Sequence, residues 1–594
     1  MCEPAPMRPR THALSHPAHG QPECTPRALV TGILIGALLT PCNVYSGLKI
    51  GWSFNMSIAA CLLSFGYWRL SGNLLGSRAW GLYENNINQT TASAAASIVS
   101  GGLVAPIPAL TLLTGREFDW PVLSLWVFTV SALGIAVAAA LREPMILRDR
   151  LTFPAGVATA ETVREIYARG RDAAARVRML AGAAAASAAA KLAFEIAGAA
   201  PRLALPGQAP LFGAPSAAAP PLGKLGFALD PSLLMLGFGA IIGPRVGLSL
   251  LLGALIAWLA VAPWVLAQGW VAPDPAAVDW FGPLVQWLLW PGVTLMTTAS
   301  LATFGLAWWR RRRRHHGRNR QRIPVPGPGF AGAALTALAA AVALQYILFA
   351  IPPLAGIFAV GLAFALAVVA ARVVGETGIP PIGAIGKVAQ LGFGAAAPGN
   401  LTANLMGANV TGGAAGQCAD LLNDLKCGHL LGATPRLQLF AQLCGVLTGS
   451  LVGSLTYLTL IPDPHTQLLS PEWPAPAVAT WKAVAEVLAH GLAAIPQGAA
   501  SAMAVAAVTG ALLAAAQHWS AARRWLPSGA ALGLAFVIPA WISLGLFLGA
   551  AAAALAGRLA PAWSGRFVLA MAAGLVAGES LAGVAAALVR MAAG

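Results

Sequence analysis

Residues 400–438 read NLTANLMGANVTGGAAGQCADLLNDLKCGHLLGATPRLQ. The tract sets Asn404, Asn409, Gln417, Asp420, Asp424 and Lys426 among glycines and aliphatic residues. An ionisable group at membrane depth costs about 2.5–3.5 kcal/mol on insertion scales, so the two aspartates and the lysine would oppose folding by about 8–10 kcal/mol if each stood alone. Something must offset that cost, and a working site is the default source.

The rest of the chain supplies the apolar background. Of 594 residues, 57% are hydrophobic and 10% charged, with mean hydropathy +0.70, which excludes a water-soluble domain of this size. Apolar windows of about 20 residues recur along the sequence, giving an all-α polytopic membrane protein of roughly fourteen spans, within a range of about twelve to sixteen. The net charge of +16 resides in loops, where the positive-inside rule collects Lys and Arg, so membrane topology and anionic lipid explain it and nucleic acid is not implied. Eight arginines between Arg310 and Arg322 form the densest such loop. The seven cysteines include no CxxC pair, so neither a disulfide framework nor a zinc site is expected. No ATP-binding GxxxxGK[ST] motif, cofactor signature or metal-binding cluster stands out.

The expected organisation is a disordered cytoplasmic tail (1–27), a first membrane half (28–309), a basic cytoplasmic loop (310–328) and a second membrane half (329–594). His12, His16 and His19 lie in the tail and are read as solvated rather than metal-binding. Spans are expected at 28–48, 54–70, 87–113 and 121–141. Arg69, Arg78, Arg142, Arg148 and Arg150 in the second and fourth connections then put the N-terminus in the cytoplasm. A broken segment and Arg-rich helix follow over 151–178, then a span at 179–200, an external loop at 201–230, a hairpin (232–242, 246–267) turning at Pro244-Arg245, and a span at 281–309. The second half offers 330–349, 354–372, the polar tract 376–428, then 437–460, 484–516, 527–553 and 567–590. Paired polar interruptions in the two halves suggest an internal repeat, with Phe153-Pro154-Ala155-Gly156 matched by Leu526-Pro527-Ser528-Gly529.

Asp420 and Asp424 are four residues apart, about 40° around a helix, so one can raise the other's proton affinity. That makes them a candidate proton-coupling pair. Lys426 lies on another face, suited to neutralise an aspartate or to meet a substrate carboxylate; a helix-end role with Arg436 is the alternative. Asn404, Asn409, Thr411 and Gln417 supply donors and acceptors for a polar cargo. In the first half Glu84, Asn85, Asn86, Asn88 and Gln89 open a helix whose N-terminal dipole suits an anionic group, with capping as the alternative. Asn43, Tyr45 and Lys49 close the first span. Glu376, Lys387 and Gln390 flank GETGIPPIGAIG, a Gly/Pro-rich interruption. Glu376 is the alternative coupling carboxylate and Lys387 a charge partner.

These motifs resemble the oligopeptide transporter family, which includes the yellow-stripe-like carriers of metal chelates. The resemblance rests on GALLTPCNVYSGLK at 36–49, ENNINQT at 84–90, LTFPAGVA at 151–158, GIPPIGAIGKVAQ at 378–390 and ADLLNDLKCGHLLGATPRLQ at 419–438. The Asn-Pro-Gly tripeptide of the eukaryotic peptide branch does not occur, and NVYSGLK is closer to the prokaryotic and yellow-stripe-like branch. The resemblance implies secondary active, proton-coupled uptake of small peptides or peptide-like metal chelates, and a homodimer. The Ala-, Arg- and Gly-rich usage points to a bacterial inner membrane. Two other readings are a passive channel or sensor for small solutes, and an intramembrane enzyme holding magnesium at Asp420 and Asp424.

Overall fold

The computed structural model describes residues 22–51, 53, 55–168, 170–197, 202–209, 219–314, 328–377, 382–491, 495–519 and 526–593. The first half runs through α1 (Pro26–Ile50), α2 (Ser57–Leu75), α3 (Leu82–Ala96), α4 (Pro106–Thr114), α5 (Trp120–Arg142), α6 (Pro154–Ala168) and α7 (Gly170–Ile196). A two-residue antiparallel pair, β1 (Leu203–Ala204) and β2 (Ala228–Leu229), is the one sheet among the described residues. Next come α8 (Leu233–Ile242), α9 (Pro244–Ala254), α10 (Ala262–Ala267) and α11 (Phe281–Arg314). The second half contributes α12 (Pro328–Phe349), α13 (Pro353–Thr377), α14 (Ile382–Ala396), α15 (Leu401–Leu431), α16 (Pro435–Leu460), α17 (Pro464–Gln467) and α18 (Pro476–His490). It ends with α19 (Ala499–Trp519), α20 (Gly529–Leu534), α21 (Ala540–Leu559) and α22 (Pro561–Ala593).

The protein is an all-α polytopic membrane protein. Among the described residues, eleven helices are long and apolar enough to cross a bilayer. The polar α15 is not one of them, although 31 residues at 1.5 Å each give it about 46 Å, more than the hydrocarbon core.

Local chemistry sets the ends. Asn400 caps α15 by accepting from Ala403 N, and Gly432, at φ 84°, ends it in the left-handed region that favours glycine. Gly243 (φ 82°) followed by Pro244 at a helix start makes the expected turn between α8 and α9.

Four expectations of continuity are corrected. Span 87–113 is a broken one: α3 passes into a 3₁₀ turn at Ser97–Gly101 before Pro106 starts α4. Span 484–516 divides into α18 and α19, and 527–553 into α20 and α21, where Pro539 precedes α21. The tail of 1–27 gives way to helix already at Pro26, where Thr25 caps α1. Residues 1–21, with the three tail histidines, and 315–327 of the basic loop lie outside the described residues.

Two packed groups emerge. Helices α1–α6 pack with α12–α16 and α18, whereas α7–α11 pack with α19–α22; α1 and α16 against α22, α2 and α6 against α7, and α11 against α14 and α18 join the groups. Both halves of the sequence contribute to each group. Within the first group, polar α3 is clamped by glycines on its two neighbours. A Cβ on Gly32 or Gly36 of α1 would lie 2.7 Å from Thr91 or Ala95, and one on Gly445 or Gly449 of α16 would lie 2.1 or 2.4 Å from the Thr91 or Ala95 carbonyl oxygen. Only glycine permits that approach, the small-residue packing of membrane helices.

Candidate functional site

Helices α3 and α15 run antiparallel and are linked by a ladder of polar contacts. Cys427 Sγ donates to Asn86 Oδ1 at 3.6 Å. Ser57 of α2 links the next rung, its hydroxyl 2.9 Å from Ser93 Oγ and 3.2 Å from Asp424 Oδ1. Ser97 donates to Gln417 Oε1 at 3.3 Å, and Asn409 Nδ2 donates to Gly101 O at 3.1 Å. The sequence-predicted Asn86, Asn409, Gln417 and Asp424 therefore lie along one buried seam, with Gln89 beside Asn86 at 3.4 Å.

Asp424 is the electrostatic centre of this seam. It is 2% exposed and accepts from Ser57 on one oxygen and from Gln442 Nε2 on the other, at 3.3 Å. Gln438 Nε2 donates to the Asp424 backbone oxygen at 3.0 Å. Among the described residues, no Lys, Arg or His lies within ion-pair distance of it. Its partners are neutral donors, which stabilise a carboxylate without cancelling its charge. Asp420, one turn away, is half-buried and makes no hydrogen bond or ion pair with any described residue. Lys426 turns from both, its Nζ donating to Leu151 O at 2.8 Å.

Other predicted residues occupy separate places. Glu84, 1% exposed, is held by Arg27 Nη2 at 2.5 Å, by Thr25 Oγ1 at 2.6 Å and by its own N-cap, Gly81 N, at 3.1 Å. Arg27 in turn lies over the stacked Trp68 and Trp80 rings. Glu84 thus accepts from the N-cap backbone N–H and neutralises a cation at the start of α3, and neither leaves it facing the seam. Asn43 donates to Ala96 O at 2.9 Å, at the far end of α3. Tyr45 packs edge-on against Trp473, 5.3 Å between centroids, beneath Lys49, whose Nζ reaches Glu472 O at 2.5 Å. Asn404 pairs with Gln390 through two bonds, Asn404 Nδ2 to Gln390 O at 2.7 Å and Gln390 Nε2 to Asn404 Oδ1 at 3.2 Å. Lys387 lies one turn before Gln390 on α14. Glu376 is in the last turn of α13; its side chain is outside the described residues, as are residues 378–381.

The seam holds more polar atoms than partners. Asn86 Nδ2, both amide atoms of Asn88, Gln89 Oε1, Gln417 Nε2, Asn423 Oδ1, Gln438 Oε1 and Gln442 Oε1 are buried with no hydrogen bond. An unpaired buried polar atom costs about 1–3 kcal/mol, so this set is matched to a polar guest or to water rather than to itself. Ser57, Ser93 and Gln442 complete the site beyond the residues singled out in sequence. The glutamines at 438 and 442, spaced i, i+4 in an otherwise apolar span, were the available signal.

Residues 23–590 match the sequence profile of a family described as OPT oligopeptide transporter protein. Similar proteins include a putative oligopeptide transporter of Saccharomyces cerevisiae, 24% identical over 570 aligned residues that cover 73% of this chain and 77% of the relative. A probable metal-nicotianamine transporter of Oryza sativa subsp. japonica is 24% identical over 632 residues, covering 94% and 88%. A putative oligopeptide transporter of Haemophilus influenzae is 27% identical over 240 residues, covering 40% and 34%.

Proposed function

The chain belongs to the oligopeptide transporter family, and from that premise we propose a proton-coupled carrier in which Asp424 takes up the proton. It is a transporter of small oligopeptides or peptide-like metal chelates, and not an enzyme. The observation that carries the coupling is Asp424 itself, a carboxylate inside the membrane region held by Ser57 and Gln442 with no cation within ion-pair distance among the described residues. Ionised, it accepts from both; protonated, it becomes a donor, and rotation of the Gln442 amide offers the acceptor Oε1 that is now unpaired. Loss or gain of one proton therefore rewrites the bonds between α2, α15 and α16.

Cargo binding belongs to the same seam. Asn86, Gln89 and Gln417, with Asn88, offer unpaired donors and acceptors that suit peptide amides or the nitrogen and oxygen atoms of a chelator. Asn43, Asn404 and Asn409 extend that lining, while Glu84 and Tyr45 fix the ends of α1 and α3. Asp420, which has no described partner, and Glu376 are the alternative coupling carboxylates should Asp424→Asn keep its gradient dependence. Alternating access follows from rocking of one helix group against the other, each built from both sequence halves.

An N-terminus in the cytoplasm is supported by the end of the molecule where α1 starts, which gathers Arg27, Arg78, Arg164 and the α15 C-terminus around Leu430. A bacterial inner membrane and uptake driven by the inward proton gradient complete the reading. The test is uptake of radiolabelled trialanine and of nickel–nicotianamine into proteoliposomes, with and without an imposed pH gradient. Accumulation only with the gradient is expected, and uptake indifferent to it sinks the coupling.

A further inference from the structure

We propose that Lys387 and Gln390 form a subsite for an amino-acid-like end of the cargo, a carboxylate with an adjacent N–H; the proposal rests on the transport reading above. Lys387 keeps only 6% of its surface exposed. Among the described residues no carboxylate lies within ion-pair distance of it and no oxygen accepts from its Nζ; its recorded neighbour is the Trp481 ring, 5.7 Å from Nζ to centroid. Three other covered cations of this helix group each have an oxygen: Arg27 has Glu84, Lys426 has Leu151 O and Lys49 has Glu472 O. Among the described residues this buried ammonium faces only an indole, without the counter-charge that such groups almost always have.

A second observation lies on the same face of α14. Gln390, three residues on and fully buried, divides its Nε2 between Asn404 Oδ1 at 3.2 Å and Trp481 O at 3.1 Å, which leaves Oε1 with no donor. Residues spaced i, i+3 hold their Cβ atoms about 5–6 Å apart on one helix face, so one small group can meet both side chains. Lys387 takes the carboxylate and Gln390 Oε1 takes the N–H. Gly386 gives the indole its place, since a Cβ there would meet the Trp481 ring at 2.5 Å. Asp424 belongs to a different pole. Gly386 meets α15 at Gly412, and Asp424 lies about 18 Å further along that helix, too far to neutralise Lys387.

The test compares trialanine with trialanine amide, and adds nickel–nicotianamine, in binding to the purified full-length protein and uptake into proteoliposomes. Wild-type protein is expected to bind at least one carboxylate probe, and trialanine at least tenfold more tightly than its amide if trialanine is that probe. Lys387→Met is expected to weaken carboxylate-probe binding at least tenfold and leave the amide unchanged, and Lys387→Arg to stay within about threefold of wild type. The acid and amide comparison uses wild-type protein, so it stands even if a variant does not fold. Equal binding of acid and amide, an unchanged affinity in Lys387→Met, or no binding of any carboxylate probe overturns the subsite. Gradient-driven uptake that ignores Lys387 overturns it while transport stands; Lys387-dependent binding without uptake keeps the subsite and rejects the transport reading for that probe.

Discussion

Asp424 and Asp420 sit one helical turn apart, yet the first is enclosed by Ser57, Gln442 and Gln438 and the second faces no described partner. That contrast assigns them different tests. Asp424→Asn keeps the shape and the donors' partners but cannot bind and release a proton, so gradient-driven accumulation should fall at least tenfold while exchange of labelled for unlabelled cargo across the membrane continues. Equal loss of both in a folded protein would make Asp424 structural. Asp420→Asn should retain accumulation. Arg27→Met strips the cation from a Glu84 carboxylate that is 1% exposed, and breaking a buried pair costs about 3–5 kcal/mol. Here Arg27 is partly solvated, so about 3 kcal/mol is expected, read as a lower unfolding midpoint in detergent.

At the scale of the element, the close approach of α3 to its neighbours makes a sharp prediction. Gly445→Ala puts a Cβ 2.1 Å from the Thr91 carbonyl oxygen, backbone that cannot swing aside, and overpacking of this kind costs about 1–3 kcal/mol. Gly332→Ala in α12 meets nothing within 4 Å and serves as the neutral control in the same thermal-unfolding measurement. Element by element, sequence reading succeeded where local chemistry is decisive. The Gly243-Pro244 turn and the polarity of α15 are visible in a few adjacent residues. It failed at the breaks after α18 and α20, because apolarity alone does not distinguish one long helix from two short ones. Partnerships were also hidden. Nothing near Ser57 announces Asp424, 367 residues away, and nothing near Lys426 announces the Leu151 carbonyl.

For the whole molecule, the proposed cycle requires the two helix groups to move against each other at contacts such as α1 on α22. Cys42 lies there, its Sγ 3.9 Å from Ala577 O. Ala577→Cys, in a background lacking the other cysteines, should join Cys42 on treatment with a short bifunctional thiol reagent. Transport is expected to stop and to return on reduction; full activity in the cross-linked protein would exclude relative motion at that contact.

The seam also dictates an order of events during synthesis. The polar side chains of α3 enter the membrane long before α15 and α16 exist to receive them, since Ser57 and its partner Asp424 are 367 residues apart. At about 5–20 residues per second, the ribosome needs about 18–73 s to cover that distance. Until then α3 is shielded by α1, α2 and later α6: the Arg27–Glu84 pair, complete once Glu84 is made, and bonds such as Ser64 to Asn85 at 2.8 Å. The early helices are therefore a nascent unit that must hold the polar face of α3 away from lipid for most of translation, and Arg27→Met is expected to accumulate in the cell membrane to a lower level than wild type while still yielding protein to purify.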